Sequence, residues 1–240
     1  MYYFGANIAI SSYFCAVQGK KMMNRGIKRT LAVAFALFIV QSAWSQRAFR
    51  AVPIPDSVYA RMRGVSFPER EAVRAGVRRT ELRYLQVLYY DFDGVERQGE
   101  LVCNRDIADD LLDIFKKLHE AHYPIACVRL IDDYGANDEL SMAANNTSCF
   151  CFRSVAGSTR LSKHAKGMAI DINPLQNPYV RKKGGKTIVQ PTAGAPFANR
   201  SRRFDHKIGK QDLAYRLFTE HGFKWGGSWR SVKDYQHFEK

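Results

Sequence analysis

HAKGMAID (residues 164–171) places a histidine and an aspartate at the ends of a run that, Lys166 apart, is small or apolar. Continued to Asn173, the stretch alternates. Met168, Ile170 and Ile172 fall on one face and Ala169, Asp171 and Asn173 on the other, which is the two-residue period of a strand. A strand here puts Asp171 beside Ala169. The small Gly167 and Ala169 then leave room for His164 to fold back towards the same face, so two good metal ligands converge.

Working outward, upstream and downstream segments supply both kinds of regular structure. TELRYLQVLYYDFDGVERQGELVCN (80–104) has two strand-like runs around Asp93-Gly94, a favoured hairpin turn. DFDG resembles the opening of a calcium loop, but the later ligands and the glutamate at the twelfth position do not follow, so the hairpin reading stands. IADDLLDIFKKLHEAHYP (107–124) carries apolar residues at helical spacing, acids near its start and a proline at its end. PIACVRLIDDY (124–134) reads as a strand, and DELSMAANNTSCFCFRSV (138–155) as a polar loop running into a strand near Arg153. KQDLAYRLFTEHGF (210–223) is an amphipathic helix with Gly222 at its stop. Residues 174–210 form a long Pro/Gly/Lys-rich excursion, the kind of loop that covers a site. Helices and strands mix without regular βαβ alternation. The fold class is therefore α+β, a mainly antiparallel sheet with flanking helices.

The chain's 240 residues are enough for one well-packed domain with an arm. Its start is unusual. Arg25, Lys28 and Arg29 precede the apolar run LAVAFALFIV (31–40), and Ala43 and Ser45 follow at cleavage spacing. This order reads as a signal peptide ending at residue 45, too short in its apolar part to span a bilayer. Met22 and Met23 stand where such a peptide would begin, so residues 1–22 form an upstream extension. Export to the periplasm or the outside is expected, with no membrane span once the peptide is cleaved. Residues 46–80, basic and with three prolines, read as an arm leading to a domain over 81–240.

The formal charge is +14, and loss of residues 1–45 would remove five positive charges and no acidic one, leaving +9. A basic exported protein suits an anionic envelope polymer. RKKGGK (181–186) and NRSRRF (199–204) lack interleaved aromatics and read as solvated loops, not a nucleic-acid surface. Four cysteines remain after export: Cys103, Cys127, Cys149 and Cys151. An oxidising compartment permits two disulfides in three connectivities. Burial as small hydrophobes is the alternative.

Among the histidines, His119 and His122 in LHEAHY mimic a zinc helix, but ligands on one helical face need i and i+4 spacing. These two are read as helix-face residues. The C-terminus is more informative. Asp234-Tyr-Gln-His237-Phe-Glu239 adds an imidazole, so His164, Asp171 and His237 make a two-histidine, one-carboxylate set. That set fits one zinc ion with a position left open for water. Asp234 is placed beside that position as a general base.

LSKHAKGMAID (161–171) resembles the Ser-x-His-x-x-Gly-x-Ala-x-Asp signature of the zinc D-Ala-D-Ala carboxypeptidase family, and DYQHFE resembles its acid-x-x-His element. SMAANNTSCFCFR, INPLQNPYV and GFKWGGSW strengthen the likeness, which runs from about Tyr84 to the end. It is most similar to the branch containing L-alanyl-D-glutamate endopeptidases and phage endolysins. The resemblance implies an α+β fold shared with the hedgehog signalling domain. It also implies zinc on His164, Asp171 and His237, with Asp234 as acid/base. Arg153 would support the developing oxyanion, and Ser162 would lie at the substrate end. The implied activity is hydrolysis of peptidoglycan peptide stems by a monomeric zinc metallopeptidase, either as a D,D-carboxypeptidase or as an L-Ala-D-Glu endopeptidase. A non-catalytic zinc-containing wall-binding module is the alternative from another class.

Overall fold

The structure, a computed structural model, describes residues 49–155 and 158–240. The expected signal peptide and upstream extension lie outside the described residues. No described helix is long and apolar enough to cross a membrane.

The architecture is α+β with mainly antiparallel sheets. The longest pairing is the expected hairpin, β2 (Leu82–Tyr90) with β3 (Glu96–Asn104). Its turn closes because Asp91 Oδ1 accepts from the Asp93 and Val95 amides, and Gly94 takes φ 72°. A helix (Ala108–Glu120) lies against this hairpin through Leu111, Ile114, Phe115 and Leu118, all at most 1% exposed. Their i, i+3, i+4, i+7 spacing is the helical stripe read from the sequence. Burying each is worth about 1.5–3 kcal/mol before the entropy of ordering it. Asp109 and Asp110 in its first turn complement the helix dipole. The helix expected near 210–223 spans Leu213–Glu220; Asp212 accepts from the Ala214 amide at its start, and Gly222 (φ 82°) lies just past its end.

The segment 46–80 differs from the arm expected there. From Phe49 on it is woven into the fold. Strand β1 (Arg50–Pro53) pairs with β2, and two short helices (Asp56–Met62, Glu69–Arg74) follow. Ile54, Val58, Met62, Phe67, Ala72 and Val77 make a second apolar cluster with Leu82, Tyr84, Val102 and Phe150. The prolines that suggested a linker cap these helices, Pro55 before the first and Pro68 before the second.

Other expectations are also adjusted. The run 124–134 keeps only a two-residue strand, β4 (Cys127–Val128), and then winds into a 3-10 turn (Ile131–Tyr134). The polar loop at 138 is a short helix (Asp138–Ala143), followed by β5 (Asn146–Thr147) parallel to β4. The excursion 174–210 contains its own hairpin, β7 (Tyr179–Lys183) with β8 (Lys186–Gln190). None of the four cysteines is bridged, and Cys103, Cys149 and Cys151 are buried, which matches the hydrophobe alternative.

Candidate metal centre

The site is assembled on β6 (Ala169–Asp171), which lies beside β11 (His237–Glu239) with Asp171 directly opposite His237; β9 (Lys224–Trp225) flanks β11 on its other side. Both faces of β6 are covered: Ile170 and Ile172 enter the main core, while Ala169, Asp171 and Asn173 are also buried. The polar face is therefore interior. Asn173 holds the neighbouring chain, accepting from the Ala126 amide (2.9 Å) and donating to Pro124 O (3.0 Å).

His164 comes from a 3-10 turn (His164–Lys166) that Gly167 closes at φ 67°. A Cβ on Gly167 would stand 2.6 Å from the Asn104 nitrogen of β3. This glycine is thus demanded by the backbone behind the site, and not by the ligands in front of it. Ser162 Oγ accepts from the His164 amide (3.2 Å), so Ser162 braces the turn that carries the ligand.

His164, Asp171 and His237 offer ligand atoms within 4.8 Å of one another, and all three are buried. His164 Nε2 and His237 Nδ1 are 3.1 Å apart. Asp171 lies 3.0 Å from the latter and 3.3 Å from the former. Ligands at about 2.0–2.1 Å from a tetrahedral ion are separated by roughly 3.3 Å, so this triangle fits zinc with little adjustment. The remaining ring nitrogens face acceptors: His164 Nδ1 meets Cys149 O at 2.6 Å, and His237 Nε2 meets a Glu239 oxygen at 3.3 Å. Such outer partners fix the tautomer and leave the inner nitrogen free to ligate.

The electrostatics suit a cation. Burial opposes the charge of Asp171, yet the His164 and His237 imidazoles hold its carboxyl well below the usual carboxylate range. Burial also works against a charged His237, but hydrogen bonds to Asp171 and Glu239 outweigh it and raise the ring to about 10. The pocket holds a positive charge in place, by a proton when no ion is present.

Asp234 sits on β10 (Lys233–Asp234), opposite Tyr179 of β7. Its Oδ1 is shut off from solvent and has no hydrogen-bond partner. Burial first, and then the negative Asp171, push its carboxyl up to about 6, against the pull of His237 and His164. Gly226 packs behind it: a Cβ there would lie 2.8 Å from Asp234 Cβ and 3.3 Å from His237 Cβ. Lys233 donates to Trp229 O (2.6 Å), and the Trp229 ring stands 5.2 Å from that of His237. Arg153 Nε lies 2.6 Å from Asp138 Oδ2.

Sequence reasoning missed Asp138, Glu239 and Trp229. Glu239 had a signal, since it lies two residues after His237 on a strand and so shares its face. Asp138 had none, because its partner is 15 residues away across an irregular stretch. The remaining histidines have structural partners. His119 meets Glu96 at 2.7 Å, His206 stacks on Phe92, and His221 meets Asp113 at 2.9 Å.

Comparison with known proteins gives one family. A model described as D-alanyl-D-alanine carboxypeptidase matches residues 156–240, which contain His164, Asp171, Asp234 and His237. No curated protein and no solved structure matches significantly.

Proposed function

We propose that the chain is a zinc-dependent hydrolase of peptidoglycan peptide stems, a reading supported by the match of residues 156–240 to the D-alanyl-D-alanine carboxypeptidase family. The observation that carries this reading is the buried triangle of His164 Nε2, Asp171 and His237 Nδ1, with the unpartnered carboxylate oxygen of Asp234 nearby. His164, Asp171 and His237 would hold the ion. A zinc ion bound there lowers the pKa of water and polarises a carbonyl.

The chain's own residues supply the rest. Asp234 takes a proton from the attacking water and returns it to the leaving amine, so one carboxyl acts as base and then acid. In the metal-free site burial and the negative Asp171 raise its carboxyl to about 6, nearer the range in which one group both takes and gives a proton at neutral pH. Arg153 offers its guanidinium to the oxygen on which negative charge develops. Ser162, braced against the His164 turn, lines the substrate end. The β7–β8 hairpin, whose first strand pairs with the strand of Asp234, is the element placed to set which bond is presented. That bond is either L-Ala-D-Glu or the D-Ala-D-Ala terminus. The protein acts as a monomer after export to the periplasm or beyond, as a single catalytic domain that includes the segment from Phe49.

Purified peptidoglycan incubated with the zinc-loaded protein should acquire new peptide ends, identified by mass spectrometry. Asp234→Asn should keep folding and zinc while hydrolysis falls ~100- to 10,000-fold. Hydrolysis by this variant at the wild-type rate would exclude Asp234 as the base. Binding to the wall with no new ends would leave a wall-binding module instead.

A further inference from the structure

Arg153 is positioned from two ends. Its backbone carbonyl accepts from the Ser162 amide (3.1 Å), which ties it to the turn that carries His164. Its side chain leans on Asp138, with Nε 2.6 Å from Oδ2. The Nε is closed off from solvent, and the contact lies off the N–H direction, so it is an ion pair and not an aligned hydrogen bond. Among the described residues the two terminal nitrogens of the guanidinium make no hydrogen bond to an oxygen, while the Cys151 thiol lies within reach of the group.

Guanidinium geometry makes this arrangement meaningful. Five N–H donors lie in one rigid plane, so a carboxylate at the Nε edge sets the direction of the outer fork. Without it, the long side chain has several rotamers and its fork no fixed aim.

Asp138 is itself held. It opens the helix Asp138–Ala143, which Asn137 caps by accepting from the Leu140 amide (3.0 Å). The next residue, Glu139, accepts from the Thr192 amide (2.7 Å), and Ser141 Oγ accepts from Asn146 (3.1 Å). A carboxylate on so anchored a helix keeps its place while a substrate passes.

We propose that Asp138 is a positioning residue that acts through Arg153, fixing the guanidinium so that its free fork meets the oxygen on which charge develops. This rests on the peptidase reading of the site. The geometry divides the labour: the Nε edge belongs to Asp138, and the fork belongs to the substrate.

The test is a double-mutant cycle on the zinc-loaded, full-length protein, cleaving a soluble wall peptide. Asp138→Asn should lower kcat by ~10- to 100-fold, the usual cost of removing an outer partner. KM, zinc content and melting temperature should stay near wild type. Asp138→Glu, which restores the charge, should recover part of the loss and also guards against a folding defect in the asparagine variant. In an Arg153→Ala background, Asp138→Asn should cost almost nothing further, because its effect passes through the arginine. An unchanged kcat in Asp138→Asn, or an equal loss with and without Arg153, overturns this inference and leaves the peptidase reading intact. Hydrolysis insensitive to Arg153→Ala removes the arginine from the mechanism and this inference with it. A wild-type protein without hydrolysis overturns both readings.

Discussion

Two pairs of histidines in this molecule look alike on paper and differ in every physical respect. His119 lies in the last turn of one helix and His122, read from the sequence as a helix-face residue, falls just past its end at φ 51°; both stack on the Tyr90 ring, at 5.0 and 4.1 Å, and His119 also meets the half-exposed Glu96. His164 and His237 come from a turn and a strand 73 residues apart, point nitrogens at each other across 3.1 Å, and are buried with a carboxylate between them. The first pair spends its rings on stacking. In the second, each ring has an acceptor on its far side and a ligand-ready nitrogen on its near side. Proximity in sequence says little about a metal site. What matters is convergence from separate elements, together with acceptors that orient the rings.

The contrast breaks most directly at His237. His237→Ala should abolish stoichiometric zinc and hydrolysis together, and metal analysis of the purified variant reads it. Full zinc in that variant would mean a different ligand set. A smaller effect is expected one step out. Glu239→Gln keeps the ligands but weakens the acceptor on His237 Nε2, and zinc affinity should fall ~10- to 100-fold in a chelator competition.

Protons sharpen the comparison further. With its pKa raised to about 10, metal-free His237 carries a proton that the ion must displace. Zinc affinity should therefore rise with pH, by up to about tenfold per unit for one proton, and level off above about 10. The same shift stabilises the metal-free fold fully below about pH 6.5, and that stabilisation is lost as pH rises through about 10. Chelator competition across the pH range checks the first statement and thermal melts of the metal-free protein check the second. The smallest effect belongs to the other pair. His119→Ala and His122→Ala should leave zinc content unchanged and cost roughly 1 kcal/mol each in stability, through the lost stacking and, for His119, the lost contact with Glu96.

Much of the centre was legible because its signals are short-range or chemical in kind. Alternation over 168–173 marked the strand, Asp93-Gly94 the hairpin, and the histidine–carboxylate set the buried cluster that could hold an ion. The helix over 108–120 declared itself through four apolar residues at one spacing. What was hidden depends on distant partners. The helices at 56–62 and 69–74 are too short for a period to emerge, and they are held mainly by packing on Leu82, Tyr84 and Phe150. Their prolines looked like linker residues because a helix-starting proline and a loop proline are the same letter. Asp138 gained its partner only when the chain folded back. Gly167 was read as space for ligands, whereas its surroundings show space for the backbone of β3.

The last eight residues hold one more consequence. Lys233 and Asp234 form the edge of the sheet that contains the β7–β8 hairpin, and three residues later His237 lies inside the sheet that contains Asp171. The chain crosses a seam between two sheets, with the proposed proton carrier on one bank and the proposed metal ligand on the other. A shift of the exposed hairpin reaches Asp234 before it reaches any ligand. On the proposed mechanism the hairpin is thus a tuning lever: exchanging it for one of different length or twist should re-aim Asp234 while His164, Asp171 and His237 keep their places.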